Sequence, residues 1–296
     1  MSESRHLTVV RAGLLTTIQD GGRPGLAHLA IPPSGAVDQP AFRLANRLVG
    51  NPEHMAVLET TLTGVAVRCS VDCAVAVTGA HAHVAVDGSP SQWGAAIHVR
   101  AGEVVDVRNG IDGARSYLAV SGGILAPTSF GSRSTDILSG IGPAPLRANV
   151  SIPIGEDLAP AEAVDVPLCE LRSDVVTLRL YTGPRADLLE RDAARVLEEE
   201  TWTVGLASNR IGMRLEGPQI RLRDHEELPS EGVVIGSMEI TPDGMPLVML
   251  ADHPTTGGYP VVGVVDATGV AKCGQAKPGT AVRFSVIHDE LDGIYL

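Results

Sequence analysis

The segment Leu250-Ala251-Asp252-His253-Pro254-Thr255-Thr256-Gly257-Gly258-Tyr259-Pro260 follows an apolar strand and gathers an acid, an imidazole, hydroxyls and flexible glycines at one edge. Asp252 beside His253 suits a general acid or base, with the carboxylate orienting the ring. Gly257-Gly258 lets backbone approach a ligand closely, while Thr255, Thr256 and Tyr259 add hydroxyls. A plain strand end with a Gly-Gly turn seldom carries so much polar chemistry, so this segment is read as functional. A second segment, Ser208-Asn209-Arg210-Ile211-Gly212, has the small polar residues and the guanidinium that suit a carboxylate or carbonyl. A solvated loop with Arg210 paired to a surface acid fits it equally well.

Two further loops could handle an anion. Thr16-Thr17-Ile18-Gln19-Asp20-Gly21-Gly22-Arg23-Pro24-Gly25 leads to Ser34-Gly35-Ala36-Val37-Asp38. Ser34 and Gly35, just ahead of a helix start, could present backbone amides to an anion, with Arg23 as a bidentate clamp. A turn followed by an N-capping Asp38 is the simpler reading. Gly131-Ser132-Arg133-Ser134-Thr135-Asp136 could line an anion pocket, although an exposed loop explains it more simply. No GxxxxGK[ST], GxSxG, HExxH or strand-anchored GxGxxG motif is present.

The elements that must position these loops read as many short strands. The 296 residues suit two domains or one large β unit. With 33 Gly, 20 Pro and only 3% aromatics, Val, Ala, Leu and Ile must fill the core between tight turns. Strands are expected at Leu7–Val10, Leu14–Ile18, Val65–Arg68, Val75–Val77, His83–Val86, Ile97–Val99, Val104–Val107 and Tyr117–Val120. In the second half they are expected at Val176–Tyr181, Met213–Leu215, Val233–Ile240, Leu247–Leu250, Val261–Val265 and Val282–Val286. One helix should run from the Asp38 cap through Pro40 to Gly50, burying Ala41, Leu44, Ala45, Leu48 and Val49. Another should begin at Pro184 and bury Leu189, Ala193, Val196 and Leu197. Residues 156–174 are acidic and Pro/Ala-rich, so the chain divides into a β-rich half at 1–155, an acidic connection and a second β-rich half at 175–296. A faint echo between 99–107 and 276–284 hints at duplication.

Charge and cysteine content exclude several classes. The balance of 23 basic and 35 acidic residues, net −12 with no basic patch, argues against nucleic acid. No apolar run approaches a membrane span of roughly 18 residues, and no secretory core opens the chain, so a cytoplasmic location is expected. Cys69, Cys73, Cys169 and Cys273 form no CxxC pair and read as free core residues. Cys69 and Cys73 would share one strand face; a metal site joining them to His81 and His83 is less economical than in–out patterning, so no metal is expected.

Taken in order, the motifs resemble a known family. Gly13–Asp20, Gly22-Arg23-Pro24-Gly25, Ser34–Asp38 and Leu44-Ala45-Asn46-Arg47-Leu48-Val49-Gly50-Asn51-Pro52 open the pattern. Tyr117–Ile124 and Gly131–Thr135 follow, and Ser208–Gly212, Ser230-Glu231-Gly232, Pro242-Asp243-Gly244 and Asp252–Pro260 complete it. This resembles the allophanate hydrolase subunit 2 family, whose members include one subunit of bacterial 5-oxoprolinase, an antagonist of a sporulation-kinase regulator and part of the carboxyltransferase region of urea carboxylase. The resemblance implies a mainly β (α+β) fold of two β-barrel-like, cyclophilin-like subdomains, each with one main helix. It also implies a smaller partner subunit, an active site shared with it, and ATP, with or without Mg, at that site. ATP-dependent opening of the 5-oxoproline lactam to glutamate is the leading activity. A biotin-dependent carboxyltransferase with biotin on another polypeptide, and a regulator that sequesters its partner, are the alternatives. In the leading reading Asp252 and His253 are catalytic. Arg23, Ser34, Gly35, Asp38, Ser132, Arg133, Ser134, Ser208, Asn209, Arg210, Thr255, Thr256, Gly257, Gly258 and Tyr259 bind substrate or phosphate. Two places depart from the family pattern: Met238-Glu239 stands where many members have Ile-Gln, and Ile137–Leu146 is shorter and less Gly-rich.

Overall fold

The alternation of side chains along each strand decides the layering of the first half. In the strand Arg115–Val120, Leu118 and Val120 join one core with Val75 and Val77 of Cys73–Gly79. The residues between them, Tyr117 and Ala119 with Ala74 and Ala76, pack instead against Phe42, Ala45, Leu48 and Val49. One sheet is thus apolar on both faces, with a second sheet on one side and a helix on the other. The computed structural model describes residues 5–156, 175–224 and 227–287. The chain forms two compact units, Met1–Gly25 with Pro33–Arg172, and Leu26–Pro32 with Ser173–Leu296. The expected acidic connection lies outside the described residues except for Glu156, and so does Cys169.

In the first unit a six-stranded sheet runs in the order Ser151–Pro153, His6–Arg11, Val65–Cys69, Val104–Gly110, Ala82–Val86, Ser89–Ser91. The five-stranded sheet runs Leu15–Gln19, Val57–Thr61, Arg115–Val120, Cys73–Gly79, Ala96–Val99. Helix α1, Gln39–Leu48, starts where expected: the Asp38 carboxylate accepts from the Ala41 amide at 3.0 Å, with Pro40 in the first turn. Asp38→Ala is expected to cost about 1 kcal/mol, the usual loss for an N-cap, read as a small drop in melting temperature with the fold retained.

The second unit is a closed barrel. Its strands follow the order Val175–Thr182, Val261–Val265, Ser237–Ile240, Pro246–Met249, Gly212–Glu216, Trp202–Val204, Ala281–Ile287, and parallel pairing of the last with the first closes it. Leu178, Leu180, Trp202, Val204, Met213, Leu215, Val282 and Phe284 are buried, while their neighbours Thr177, Arg179, Thr203, Arg214, Glu216, Arg283 and Ser285 are exposed. Closure removes the exposed sheet edges. Helix α2, Ala193–Glu199, is shorter than the pattern from Pro184 suggested, because Ala186–Leu188 forms only a 3-10 turn before it.

The fold is mainly β, with three α-helices among the described residues. Several details differ from the sequence reading. The first unit stacks two sheets rather than closing a barrel. Strands Val57–Thr61 and Trp202–Val204 and helix α3, Ala267–Gln275, lacked a clear apolar period. Helix α3 carries two glycines that weaken its local propensity. Its cap, Asp266 accepting from the Gly269 amide at 2.7 Å, starts it anyway. The echoed segments accordingly differ, one following a strand and the other following α3. The stretch from Val233 to Ile240 breaks, because Gly236 takes a left-handed φ of 88° before Ser237–Ile240 begins. Cys69 and Cys73 sit on different strands in different sheets and meet in one core. Contact with Cys73 and burial push the Cys69 thiol upward, so it stays protonated and inert. Among the described residues no three His, Cys, Asp or Glu side chains group to hold a metal, and no helix is long and apolar enough to cross a membrane.

Candidate functional site

In the first unit, the loops expected to hold an anion hold one another. The Asp20 carboxylate accepts from the Ser132 and Ser134 hydroxyls, each at 2.6 Å, from the Arg133 amide at 2.6 Å and from the Gly22 amide at 2.8 Å. Arg23 is 2% exposed and donates to the Ser34 hydroxyl at 3.1 Å and to the Ser134 carbonyl. Gly22 and Gly35 let the two backbones cross: a Cβ on Gly22 would lie 2.6 Å from the Pro33 carbonyl oxygen, and one on Gly35 would lie 2.9 Å from the Gly22 nitrogen. The three amides just ahead of α1 are already occupied. Ala36 donates to the Asp20 carbonyl at 3.0 Å, Val37 to Glu59 at 3.0 Å and Asp38 to the Tyr117 hydroxyl at 2.8 Å. The side chains of Arg23, Ser34, Ser132 and Ser134 therefore fasten this loop assembly, and Asp20, absent from the expected site residues, is its hub. Arg133 enters the assembly through its amide, while its side-chain Nε is buried and lacks a partner among the described residues.

In the second unit, Arg210 and Asp252 form a buried bidentate pair, Nε to Oδ2 at 2.9 Å and Nη2 to Oδ1 at 3.0 Å, with side chains 1% and 0% exposed. The Asp252 amide donates to the Arg210 carbonyl at 3.0 Å, and the Leu250 amide donates to the Ile211 carbonyl at 2.9 Å. The pair thus clamps the loop before Gly212–Glu216 to the loop after Pro246–Met249. His253 is also buried; its Nδ1 lies 2.6 Å from the Pro254 carbonyl, which can only accept, so the ring donates there. Ser208 caps its own loop by accepting from the Arg214 amide at 3.0 Å, and Asn209 Oδ1 accepts from the Ile211 amide at 2.7 Å. Asp252 and His253 shape this corner from within, and the surface they support is where a ligand can sit.

That surface is a pocket of about 280 Å³ on the outside of the barrel. Met238 and Ile240 alternate with Glu239, which therefore leaves the strand on the opposite face and pairs across to Leu247, itself opposite Arg214. Thr256–Gly257 pairs with Glu231–Gly232 to make a short ribbon, and the Val233 amide donates to the Thr255 carbonyl at 3.0 Å. Val233 packs on Leu247 and Met249, which lays this ribbon over the outer face. Glu239 ends up 2% exposed, and its Oε1 has no hydrogen-bond partner among the described residues. A Cβ at Gly257 would lie 2.3 Å from that oxygen, so a larger residue there would displace the Glu239 carboxyl. Burial pushes the Glu239 carboxyl up to about 7. Asn209, Arg214, Pro254, Gly257, Gly258 and Tyr259 share the pocket with Glu239. A neighbouring cleft of about 530 Å³ uses Gly258 and Tyr259 from its other side, with the Pro242-Asp243-Gly244 turn.

The Ser208–Gly212 and Asp252–Tyr259 segments, 42 residues apart at the Arg210–Asp252 pair, thus meet at one pocket. Glu239 was visible in the sequence only as a departure from the family pattern, Met238-Glu239 in place of Ile-Gln.

Residues 29–286 match the family model described as carboxyltransferase domain, subdomain A and B. The C subunit of 5-oxoprolinase from Escherichia coli K12 is 34% identical over 284 residues, which make up 94% of this chain and 90% of that protein. Among solved structures, TTHA0988 superposes with a TM-score of 0.86 at 32% identity, taking in 96% of this chain and 56% of its own. The K. lactis urea amidolyase gives a TM-score of 0.89 at 27% identity over 97% of this chain, which spans 19% of that larger protein. The motif order and these similarities agree: the chain belongs to the carboxyltransferase-domain family, subdomain A and B, alongside the C subunit of 5-oxoprolinase and urea amidolyase.

Proposed function

We propose that the chain is the C-type component of an ATP-dependent enzyme that opens 5-oxoproline to glutamate together with a smaller companion protein. The observation that carries this reading is the near end-to-end match to the C subunit of a 5-oxoprolinase, 94% of this chain on 90% of that one. The urea amidolyase likeness engages only 19% of a much longer chain. An amide ring resists water because resonance shields its carbonyl, so its oxygen must be activated, and ATP supplies that activation in this reading. Of the donors first considered for the phosphates, Arg23 and Arg210 are buried and hydrogen-bonded to protein and the Ala36, Val37 and Asp38 amides are taken. This leaves Arg133; the rest of the phosphate site is assigned to the companion chains. This chain's own contribution is the amide-sized pocket beside Glu239, whose carboxyl can hold or release a proton near neutral pH.

A second reading, carboxyl transfer from a biotin carrier to an amide nitrogen, is favoured by the family model and by the TM-score of 0.89 to the urea amidolyase. One experiment separates them. Co-expressed with its small and large companions, this chain is expected to release phosphate from ATP only when 5-oxoproline is present, and omitting the chain should abolish release. A stable complex without such stimulation would sink the lactam reading and leave carboxyl transfer, assayed with carboxylated biotin carrier and urea.

A further inference from the structure

Glu239 has the features of a ligand contact without any structural duty to explain them. It is 2% exposed, it lines the pocket, and its buried Oε1 has no hydrogen-bond partner among the described residues. Leaving a carboxyl so costs stability unless the neutral form dominates or a ligand completes it. The chain nevertheless carries it, with Gly257 packed directly over its carboxyl oxygen. The buried Arg210–Asp252 clamp meanwhile sets the two loops around it.

We propose that this outer-barrel pocket binds the carbonyl group of a small carboxylated amide, with the Glu239 carboxyl donating a hydrogen bond to the amide oxygen and Arg214 receiving the carboxylate. The choice of amide as 5-oxoproline rests on the proposed function; the pocket and its chemistry do not. A neutral carboxyl is a donor, an ionised one only an acceptor, so Glu239 offers its hydrogen to a carbonyl only while protonated. Arg214 is exposed on the same face and supplies the cation for the ligand's acid; the Thr241 hydroxyl, with a smaller contribution from Arg214, holds the nearby Asp243 carboxyl below its usual range. The other groups around Glu239 are few. Tyr259 stands across the pocket, and Glu231, opposite Gly257, is engaged by Arg185. Leu247, Met249 and Val233 are apolar. Burial alone pushes the Glu239 carboxyl upward, so its protonation, and with it ligand binding, should follow pH near neutrality.

The test titrates the chain with 5-oxoproline at pH 6 and pH 8.5 by calorimetry, with tetrahydrofuran-2-carboxylate as the analogue that keeps the carboxylate on an uncharged five-membered ring and lacks the ring carbonyl. Binding of 5-oxoproline is expected at pH 6 and should weaken on the order of tenfold or more at pH 8.5, as the neutral carboxyl is lost; the analogue should bind poorly at both. Glu239→Gln keeps a donor that does not titrate, so it should bind at both values with no pH dependence. Glu239→Leu should lose binding at both while keeping the parent's circular dichroism. Equal binding of 5-oxoproline and the analogue, no binding at either pH, or a Glu239→Gln protein with the parent's pH dependence would each overturn the proposal. The companion assay keeps the two readings apart. Turnover of 5-oxoproline by the complex with KM and pH profile unmoved in Glu239→Gln defeats the pocket and spares the function. Carbonyl-dependent, Glu239-dependent binding without turnover supports the pocket and defeats the function.

Discussion

Arg210→Ala is expected to destabilise the second unit by about 3–5 kcal/mol, the loss typical of breaking a buried ion pair from one side. The variant leaves Asp252, which is wholly buried, facing a cavity with no guanidinium. It also frees the two loops that the bidentate pair and its flanking backbone bonds hold together. Urea denaturation should show the midpoint falling with little change in slope. Replacing both residues by apolar ones of similar volume, Arg210→Met with Asp252→Leu, should recover much of that loss, because the desolvation cost disappears along with the attraction. A role for Arg210 in gripping substrate makes the opposite forecast: turnover lost in Arg210→Ala with the melting temperature intact. That single comparison decides between a clamp and a ligand contact.

Asp20→Ala should be the next most damaging change. It strips the acceptor from four donors at once: the Ser132 and Ser134 hydroxyls and the Gly22 and Arg133 amides. Each unsatisfied buried donor costs about 1–3 kcal/mol, part of which entering water returns, so a loss of about 3 kcal/mol or more is expected. Hydrogen exchange gives the sharper readout. The Gly22 and Arg133 amides should lose protection together, while amides in the Arg115–Val120 strand keep theirs. Asp20→Asn keeps the shape but presents an amide NH2 to some of those donors, and should fall between the two. If the loop instead serves a bound phosphate, Asp20→Ala would remove a repelling charge and strengthen phosphate binding, an outcome that phosphate titration of the variant would expose.

Arg210 was expected to bind substrate or phosphate, and Asp20 lies between loops read the same way. Arginine, serine and aspartate in Gly-rich loops suit anion binding and suit loop fastening equally, because the same forks and hydroxyls serve both. Burial decides which, and burial depends on what lies opposite. Arg23, Arg210 and Asp252 point into protein; Glu239, which stood out in the sequence only as a departure from the family pattern, points into a pocket.

Features that act over a few residues, or that are written in motif order, were legible in the sequence. Alternating Val positions placed most strands of both units within a residue or two, since side-chain alternation is a property of the extended backbone itself. Asp38 capped its helix by accepting from an amide only three residues on, a local bond that needs no tertiary context. The ordered motifs identified the family across nearly the whole chain. The tertiary structure decided the rest. Asp20 meets Ser132 across 112 residues and Arg210 meets Asp252 across 42, and no local period encodes such meetings. Helix α3 overrode two glycines because its cap and its packing outweigh propensity. Glu239 came to face a pocket only when barrel closure turned its side outward and a two-residue ribbon sealed it, leaving a carboxyl whose burial, rather than any neighbouring charge, poises it near neutral pH.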